Sequence, residues 1–322
     1  MGQRANYIIK NQDKLTIHYT HWRANCIAQD LYLGEKRFLK YVNECKIVDE
    51  IINYPWIEGC VIIDILNKHL CFWSWEIPNV TSVISYYLQA LRDKWTGWTI
   101  EHLSNGMYDA EKILAIDYVS KQEFSKLDIP SEEDVIDDKV EEWITVTVLI
   151  KHSNELFVTS TGNLSVESII SYGPKIIELL QRKPRYNLPN EDDATQECII
   201  FDIDSKVIFI SQSEFGLWEQ TAPLWDSYAL IMGDTGYIAT LQMANIDTTN
   251  LLLPQDKVIE YFTALVAQTS DFNPADFAQR IIQDQKDAVF HPDFFDNTKP
   301  NRTIIEVITS KLKSLFKRNN SS

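Results

Sequence analysis

The chain has 322 residues with 45% apolar side chains, enough to bury the core of one large domain or of two ordinary ones without disulfides. Its formal net charge of −16 argues against binding to nucleic acid or anionic lipid, and favours a basic protein partner or a surface that is acidic for solubility alone. The five cysteines are odd in number and no pair has CxxC spacing, so we expect free thiols in a cytoplasmic protein.

The first 103 residues predict strands and helices in the order β-β-α-β-β-α-β. Alternating apolar residues indicate strands, a 3.6-residue period indicates helices, and polar turn residues separate them. The predicted elements are strands at 6–10 and 14–22, a helix at 34–44, a β-hairpin at 60–75 that turns near Asp64, a helix at 81–95 and a strand at 98–103.

Residues 130–142 form a strongly acidic run, with seven carboxylates against one lysine. Because such a run repels itself and stays solvated, we predict an acidic linker here. It separates the first pattern, at 1–129, from a second pattern that begins at residue 143.

The sequence after this run repeats the first pattern at an offset of 138 to 141 residues. Four segments match in the same order, which favours a tandem duplication over chance. The matched pairs are Ile9 with Ile150, Gly34 with Gly173, Cys60, Asp64 and Lys68 with Cys198, Asp202 and Lys206, and Gly97 and Trp98 with Gly236 and Tyr237. We therefore predict an α+β fold of two tandem pseudo-repeats, at 1–129 and 143–253, each with an antiparallel sheet and helices on one face.

Residues 254–322 lie outside the duplicated unit and predict a C-terminal helical extension, with helices at 256–268, 273–285 and 302–318. The last of these is amphipathic and basic, so it docks on the protein itself or a sister subunit, or else lies on a membrane surface. No signal peptide opens the sequence and no apolar run approaches about 18 residues, so we expect no transmembrane segment.

The stretch "HYTHWRAN" at 18–25 places two histidines, a tryptophan and an arginine at a predicted strand end, beside Arg4 on the adjacent strand. These groups suit a pocket for an anionic or polar ligand, with histidine as a general base. The second copy reads "TSTGN" at the corresponding place and lacks them. The alternative is a structural strand end whose tryptophan fills the core and whose arginine is solvated. The candidate pocket residues are Arg4, His18, His21, Trp22, Arg23 and Asn25.

Metal or cofactor binding is not predicted. His18 and His21 are three apart and would face opposite sides of a strand, and no Cys/His ligand set occurs. No GxxxxGK[ST], GxGxxG or GxSxG loop is present either. Asp64 and Asp202 recur in both copies, and paired acids could serve acid–base chemistry or Mg²⁺, but we favour a hairpin-turn role because aspartate bonds to local N–H groups there.

A second candidate surface is aromatic and acidic. Trp73 and Trp75 are two apart and so face the same side of a strand, where they either meet a partner or lie in the core. The acidic run supplies carboxylates that suit a basic partner. The candidate partner-surface residues are Trp73, Trp75, Glu132, Glu133, Asp134, Asp137 and Asp138.

The opening MGQRAN, the segment HW-x-AN at 21–25 and the D-L-x-x-G start of a helix at 30–34 resemble a family of uncharacterised bacterial proteins. The resemblance covers about residues 1–115, with Tyr7 departing from an expected aliphatic residue, and implies a bacterial cytoplasmic protein without naming an activity. The residues that fit its pattern are Gln3, Arg4, Asn6, His21, Trp22, Ala24 and Asn25.

Two functions remain open from the sequence. The first is a protein-binding protein, most concretely an immunity protein that neutralises a bacterial toxin, because acidic inhibitors steer onto basic partners and anchor through aromatics. The second is an enzyme that acts on a small polar or anionic substrate near His21 and Arg4, although no nucleophile is evident.

Overall fold

The structure is a computed structural model that describes residues 3–12, 14–54, 56–124, 126–136, 145–153, 155–195, 197–268, 274–284 and 294. Its contacts define two compact units. Unit 1 holds residues 1–70, 74–76 and 267–322, and unit 2 holds 71–73 and 77–266. These units are defined by contacts, whereas the domain boundaries predicted from the sequence follow the two copies of the repeat. Those boundaries stay a prediction.

The first copy follows the predicted order with added short elements. In chain order within the described ranges, they are β1 Ala5–Asn11, β2 Lys14–Thr20, α1 Ile27–Tyr32, α2 Glu35–Glu44, β3 Lys46–Val48, β4 Gly59–Asp64, β5 His69–Ser74, α3 Thr81–Lys94, β6 Thr99–His102 and α4 Met107–Leu114.

The second copy and the C-terminal extension continue the chain. Their elements are α5 Glu132–Ile136, β7 Val146–His152, β8 Glu155–Thr161, α6 Val166–Ser171, α7 Ile176–Leu180, β9 Glu197–Asp202, β10 Val207–Ile210, α8 Leu217–Thr221, β11 Ala229–Met232, α9 Gly236–Met243, α10 Gln255–Ala267 and α11 Pro274–Asp284. The basic helix predicted at 302–318 lies outside the described residues. Among the described helices, none is long and apolar enough to cross a bilayer.

The described strands form two sheets with the same central order. The first is β3-β2-β1-β4-β5-β6 and the second is β8-β7-β9-β10-β11. The α+β class is confirmed, but the expectation of antiparallel sheets is wrong. Each copy begins with an antiparallel pair whose first strand then pairs in parallel with the next hairpin, β1 with β4 and β7 with β9. A local hairpin signal fixes antiparallel neighbours and says nothing about how two hairpins meet.

Helices cover both faces of the second sheet, so the prediction of helices on one face is also wrong. Ile199 and Phe201 of β9 pack in one apolar cluster with α6, α7 and α8. Cys198 and Ile200 of the same strand pack in another cluster with α9. Alternate residues of one strand thus enter opposite cores, which explains why β9 is an unbroken apolar run.

The duplication is visible in the structure, with one change of offset. Hairpins β4–β5 and β9–β10 are 138 residues apart, whereas β6 and β11 are 130 apart. The eight-residue difference arises between them, where α3 has 14 residues and α8 has 5. Gly236 therefore corresponds to Gly106, and both have positive φ at the start of a helix. Pairing Gly236 with Gly97 was wrong, because residues 236–243 form helix α9 and not a strand.

Both copies protect the outer strand of the opening hairpin. In the first copy, β3 pairs with β2. In the second, residues 184–186 lie along β8 at the corresponding offset of 138, where the Tyr186 N–H donates to the Val158 carbonyl and the Thr159 hydroxyl donates to the Pro184 carbonyl. Proline at 184 has no N–H to donate, so a full strand does not form there.

Part of the acidic run is helical and docked, instead of a solvated linker. Ser131 and Asp134 exchange bonds as a capping box, with the Asp134 N–H 3.1 Å from the Ser131 hydroxyl oxygen. Val135, at 0% exposure, joins the core beneath the second sheet. Glu132 also pairs with Lys175 at 3.0 Å. Residues 137–142 lie outside the described residues.

Candidate functional site

A cavity of about 610 Å³ opens in unit 1 beside the start of β1, the end of β2 and the segment after β3. Its volume falls in the range of small-molecule sites. Its lining residues are Arg4, Tyr19, His21, Val48, Glu50, Ile51, Ile52, Asn53 and Trp56. Arg4 and His21, which the sequence placed on neighbouring strands, therefore line one cavity.

Tyr19 and His21 form a buried polar pair in the wall of the cavity. Tyr19 lies in β2, and His21 follows the last residue of that strand. The Tyr19 hydroxyl lies 2.8 Å from His21 Nδ1. The backbone is held in place as well, because the Gln3 N–H donates to the His21 carbonyl at 2.8 Å. The imidazole is thus fixed before any ligand arrives.

Arg4 is positioned by two neighbours at the edge of the cavity. Its guanidinium carbon lies over the Trp56 ring, 5.1 Å from the centroid. Its backbone N–H donates to the Glu58 carboxylate at 2.5 Å. Burial raises the pKa of Glu58, and the bond from Arg4 offsets only part of that rise. Among the described residues, the Arg4 guanidinium forms no ion pair.

Two exposed tryptophans lie near Glu58 along the chain or through its backbone bonds: Trp56 lines the cavity, whereas Trp75 is not among its lining residues. The two tryptophans are 58% and 56% exposed. Glu58 joins the segments that carry these side chains, since its N–H donates to the Arg4 carbonyl and its carbonyl accepts from the Trp75 N–H at 3.1 Å. We call the side chains of Arg4, Trp56 and Trp75 the rim.

The remaining residues of "HYTHWRAN" do not line the cavity. Trp22 donates from Nε1 to the Phe294 carbonyl at 2.6 Å and packs against Ala278 of α11. His18 is buried, with Nδ1 3.4 Å from the Cys45 carbonyl oxygen, and burial lowers its pKa. Both side chains therefore support the fold of unit 1.

Arg23 and Asn25 are structural too. Arg23 makes a two-point contact with Asp30, at 3.0 Å from Nε and 2.5 Å from Nη2. Burial acts to lower the pKa of Arg23, but the hydrogen bond and charge of Asp30 outweigh it and raise that pKa. Asn25 is buried and accepts from the Cys26 thiol at 3.4 Å. The structural alternative expected a solvated Arg23, whereas the structure pairs this largely buried side chain with Asp30.

The candidate partner surface is only partly exposed. Trp73 is 4% exposed and donates from Nε1 to the Asp234 carboxylate at 2.5 Å, so its inclusion was wrong. Trp75 lies beyond the last residue of β5, where strand alternation no longer applies. Glu132, Glu133 and Asp134 are exposed, whereas Asp137 and Asp138 lie outside the described residues.

Asp64 and Asp202 hold hairpin turns, as the preferred interpretation predicts. Asp64 accepts the Asn67 N–H at 2.9 Å, and Asp202 accepts the Ser205 N–H at 3.0 Å. Asp202 also pairs with Lys151 at 3.0 Å. These contacts explain the recurrence of aspartate in both copies without any catalytic role.

A separate group of carboxyl groups lies in unit 2. Burial, together with the neighbouring Glu167, raises the pKa of Glu214 to about 10, and Glu197 adds to the rise. The raised pKa favours the protonated form of Glu214 at neutral pH. Glu167, Glu197 and Glu214 are far in sequence from the cavity residues, and the raised pKa of Glu214 makes the free energy of unfolding depend on pH.

The cavity chemistry is absent from the second copy. At the offset of 141 that relates β1–β2 to β7–β8, the positions of Arg4, Tyr19 and His21 are occupied by Thr145, Ser160 and Gly162. No cation, phenol or imidazole stands at these three positions. The duplicated backbone thus carries a distinct set of side chains in each copy.

Comparison with protein-family models, with curated proteins and with solved structures finds no match to this chain. The resemblance to the bacterial MGQRAN family therefore stays a prediction.

Proposed function

We propose that the chain is a protein-binding protein of the bacterial cytoplasm, most concretely an immunity protein that neutralises a toxin. The observation that carries this proposal is the rim, in which Arg4 lies on the ring of the exposed Trp56, and a second exposed tryptophan, Trp75, is carried by a segment that bonds to Glu58. Tryptophan and arginine are the side chains most enriched among binding hot spots. Exposed tryptophans are otherwise costly to leave in water.

Charge and redox state support the same proposal. A net charge of −16 accelerates association with a basic partner and disfavours nucleic acid. The exposed carboxylates of α5 add to this field. All five cysteines are free and buried, which suits a reducing compartment.

The test is co-purification from the native host, together with co-expression with the product of the neighbouring gene, to measure whether the chain relieves its toxicity. We expect Trp56→Ala and Trp75→Ala each to weaken partner binding by at least 30-fold, roughly the 2 kcal/mol of a hot spot. Tyr186→Ala, at an exposed aromatic of the second copy, is the matched control. A wild-type chain that retains no basic protein and rescues no toxicity would overturn the proposal.

A second candidate function is an enzyme acting on a small polar or anionic substrate. The observation in its favour is that Arg4 and His21 line one cavity, with His21 oriented by Tyr19. Arginine would hold the anion while histidine moved a proton. His21→Gln should then abolish turnover of the substrate and leave partner binding unchanged. Unaltered phenotype in this variant would remove the case for catalysis.

A further inference from the structure

The wall of the cavity is largely apolar. Val48, Ile51 and Ile52 contribute aliphatic surface, and the Trp56 indole supplies a flat aromatic one. Such walls gain free energy by burying the apolar body of a ligand, while a few polar groups set its orientation. A purely polar ligand, such as a sugar, would leave this surface unused.

Arg4 is the cation at the edge of this apolar wall. One face of its guanidinium lies on the Trp56 ring, which limits the rotamers available to it. Its N–H groups have no carboxylate partner among the described residues. A guanidinium in this state binds a planar carboxylate through two parallel hydrogen bonds, at a smaller entropic cost than a mobile side chain.

The acidic neighbours restrict the charge of the ligand. Glu50 lines the same cavity, and Glu58 accepts the backbone N–H of Arg4. One guanidinium beside two carboxyl groups leaves no excess positive charge, so each negative charge of a ligand beyond the one that Arg4 binds directly adds repulsion. A monocarboxylate therefore fits better than a dianionic phosphate ester.

We infer that the cavity binds a small molecule with an aromatic or branched apolar body and one carboxylate, which Arg4 holds while the Tyr19–His21 pair bonds a polar substituent of the body. This inference deepens the proposal that the cavity takes a small anionic molecule. It requires neither catalysis nor the protein partner, so its failure would leave the rim proposal standing.

The test uses three probes that share one indole body: indole-3-acetate, its uncharged amide, and the cation tryptamine. Binding to the purified full chain is followed by calorimetry. We expect the carboxylate to bind with Kd about 0.1 mM, and the amide about tenfold more weakly, as one charge-assisted pair predicts. Tryptamine should bind more weakly still. Equal affinity for carboxylate and amide, or no binding of the carboxylate, overturns the inference.

Two variants assign the preference to Arg4. Arg4→Gln should bind the carboxylate and the amide with Kd values within about twofold of each other, because the guanidinium that selects the anion is gone. Arg4→Lys keeps the charge and should recover part of the preference, which separates anion binding from a fault in folding. Arg37→Gln, an exposed arginine of α2, should match the wild type. Retention of the full preference in Arg4→Gln overturns the assignment.

Discussion

Replacing Glu214 by glutamine should stabilise the protein, and increasingly so as the pH rises. The folded-state pKa of Glu214 is raised to about 10 by burial and by Glu167, against about 4.3 to 4.5 in an unfolded chain. A raised pKa contributes stability that is complete below the unfolded value and is lost as pH climbs toward the folded value. Glutamine mimics the protonated carboxyl group and has no proton to lose.

The magnitude follows from the pH interval. At pH 7.5, the pH is about three units above the pKa of Glu214 in the unfolded chain and still below its pKa in the folded chain. Ionisation in the unfolded chain alone therefore lowers the free energy of unfolding by about 4 kcal/mol at most. Because the Glu214 side chain is only half-buried by accessible surface, solvent screening reduces this figure. We expect Glu214→Gln to gain about 2 kcal/mol at pH 7.5 and nothing near pH 4.5.

The assay is urea unfolding of the two proteins at pH 5, 6.5 and 8. The free energy of unfolding of the wild type should fall across this series relative to that of Glu214→Gln. Glu178→Gln, which removes an exposed carboxylate from α7, serves as the control for net charge and should follow the wild type. Parallel pH profiles for wild type and Glu214→Gln, or a loss of stability in Glu214→Gln at pH 8, would refute the assignment of a proton to this site.

Three further predictions test the packing. Val135→Ala should cost about 2 kcal/mol of unfolding free energy in urea, while Glu133→Ala changes it by less than about 0.5, because only Val135 of this pair enters the core. Trp22→Ala should cost about 3 to 4 kcal/mol in the same assay, and Trp75→Ala less than about 0.5. Ellman's reagent at pH 8 should leave all five buried thiols unreacted in the folded chain and label all five in guanidinium, since burial raises the pKa of Cys60 to about 12. Prompt labelling of the folded chain, a costly Glu133→Ala or a harmless Trp22→Ala would each contradict the packing described above.

The hairpins and the duplication could be predicted because their signals are local. Asp64 and Asp202 each accept a backbone N–H three residues later, so the turn is determined within a few residues of sequence. The offset error at Gly236 came from a non-local event. Helix α8 is shorter than α3, and nothing within the segment around Gly236 records a difference in chain length upstream of it.

The candidate site was only partly predictable for a similar reason. Arg4 and His21 follow from the pairing of two adjacent strands. Trp22 and Trp73 were misassigned because burial depends on which distant segment packs on them, here Phe294 and Asp234. Trp56 and Glu50 were missed as lining residues, since the segment after β3 has no motif of its own and reaches the cavity only through the fold.

The covering of β2 and β8 affects how readily another chain could pair with the edges of the two sheets. A bare outer strand is a template on which a second chain can add, the first step toward swapped dimers and fibrils. The outermost segments here are poor templates: β3 has three residues, β6 and β11 have four each, and Pro184 interrupts the row of donors beside β8. A duplicated β-rich chain places similar sequences at high local concentration, where mispairing between copies is a constant hazard. Short and interrupted edge segments oppose such mispairing.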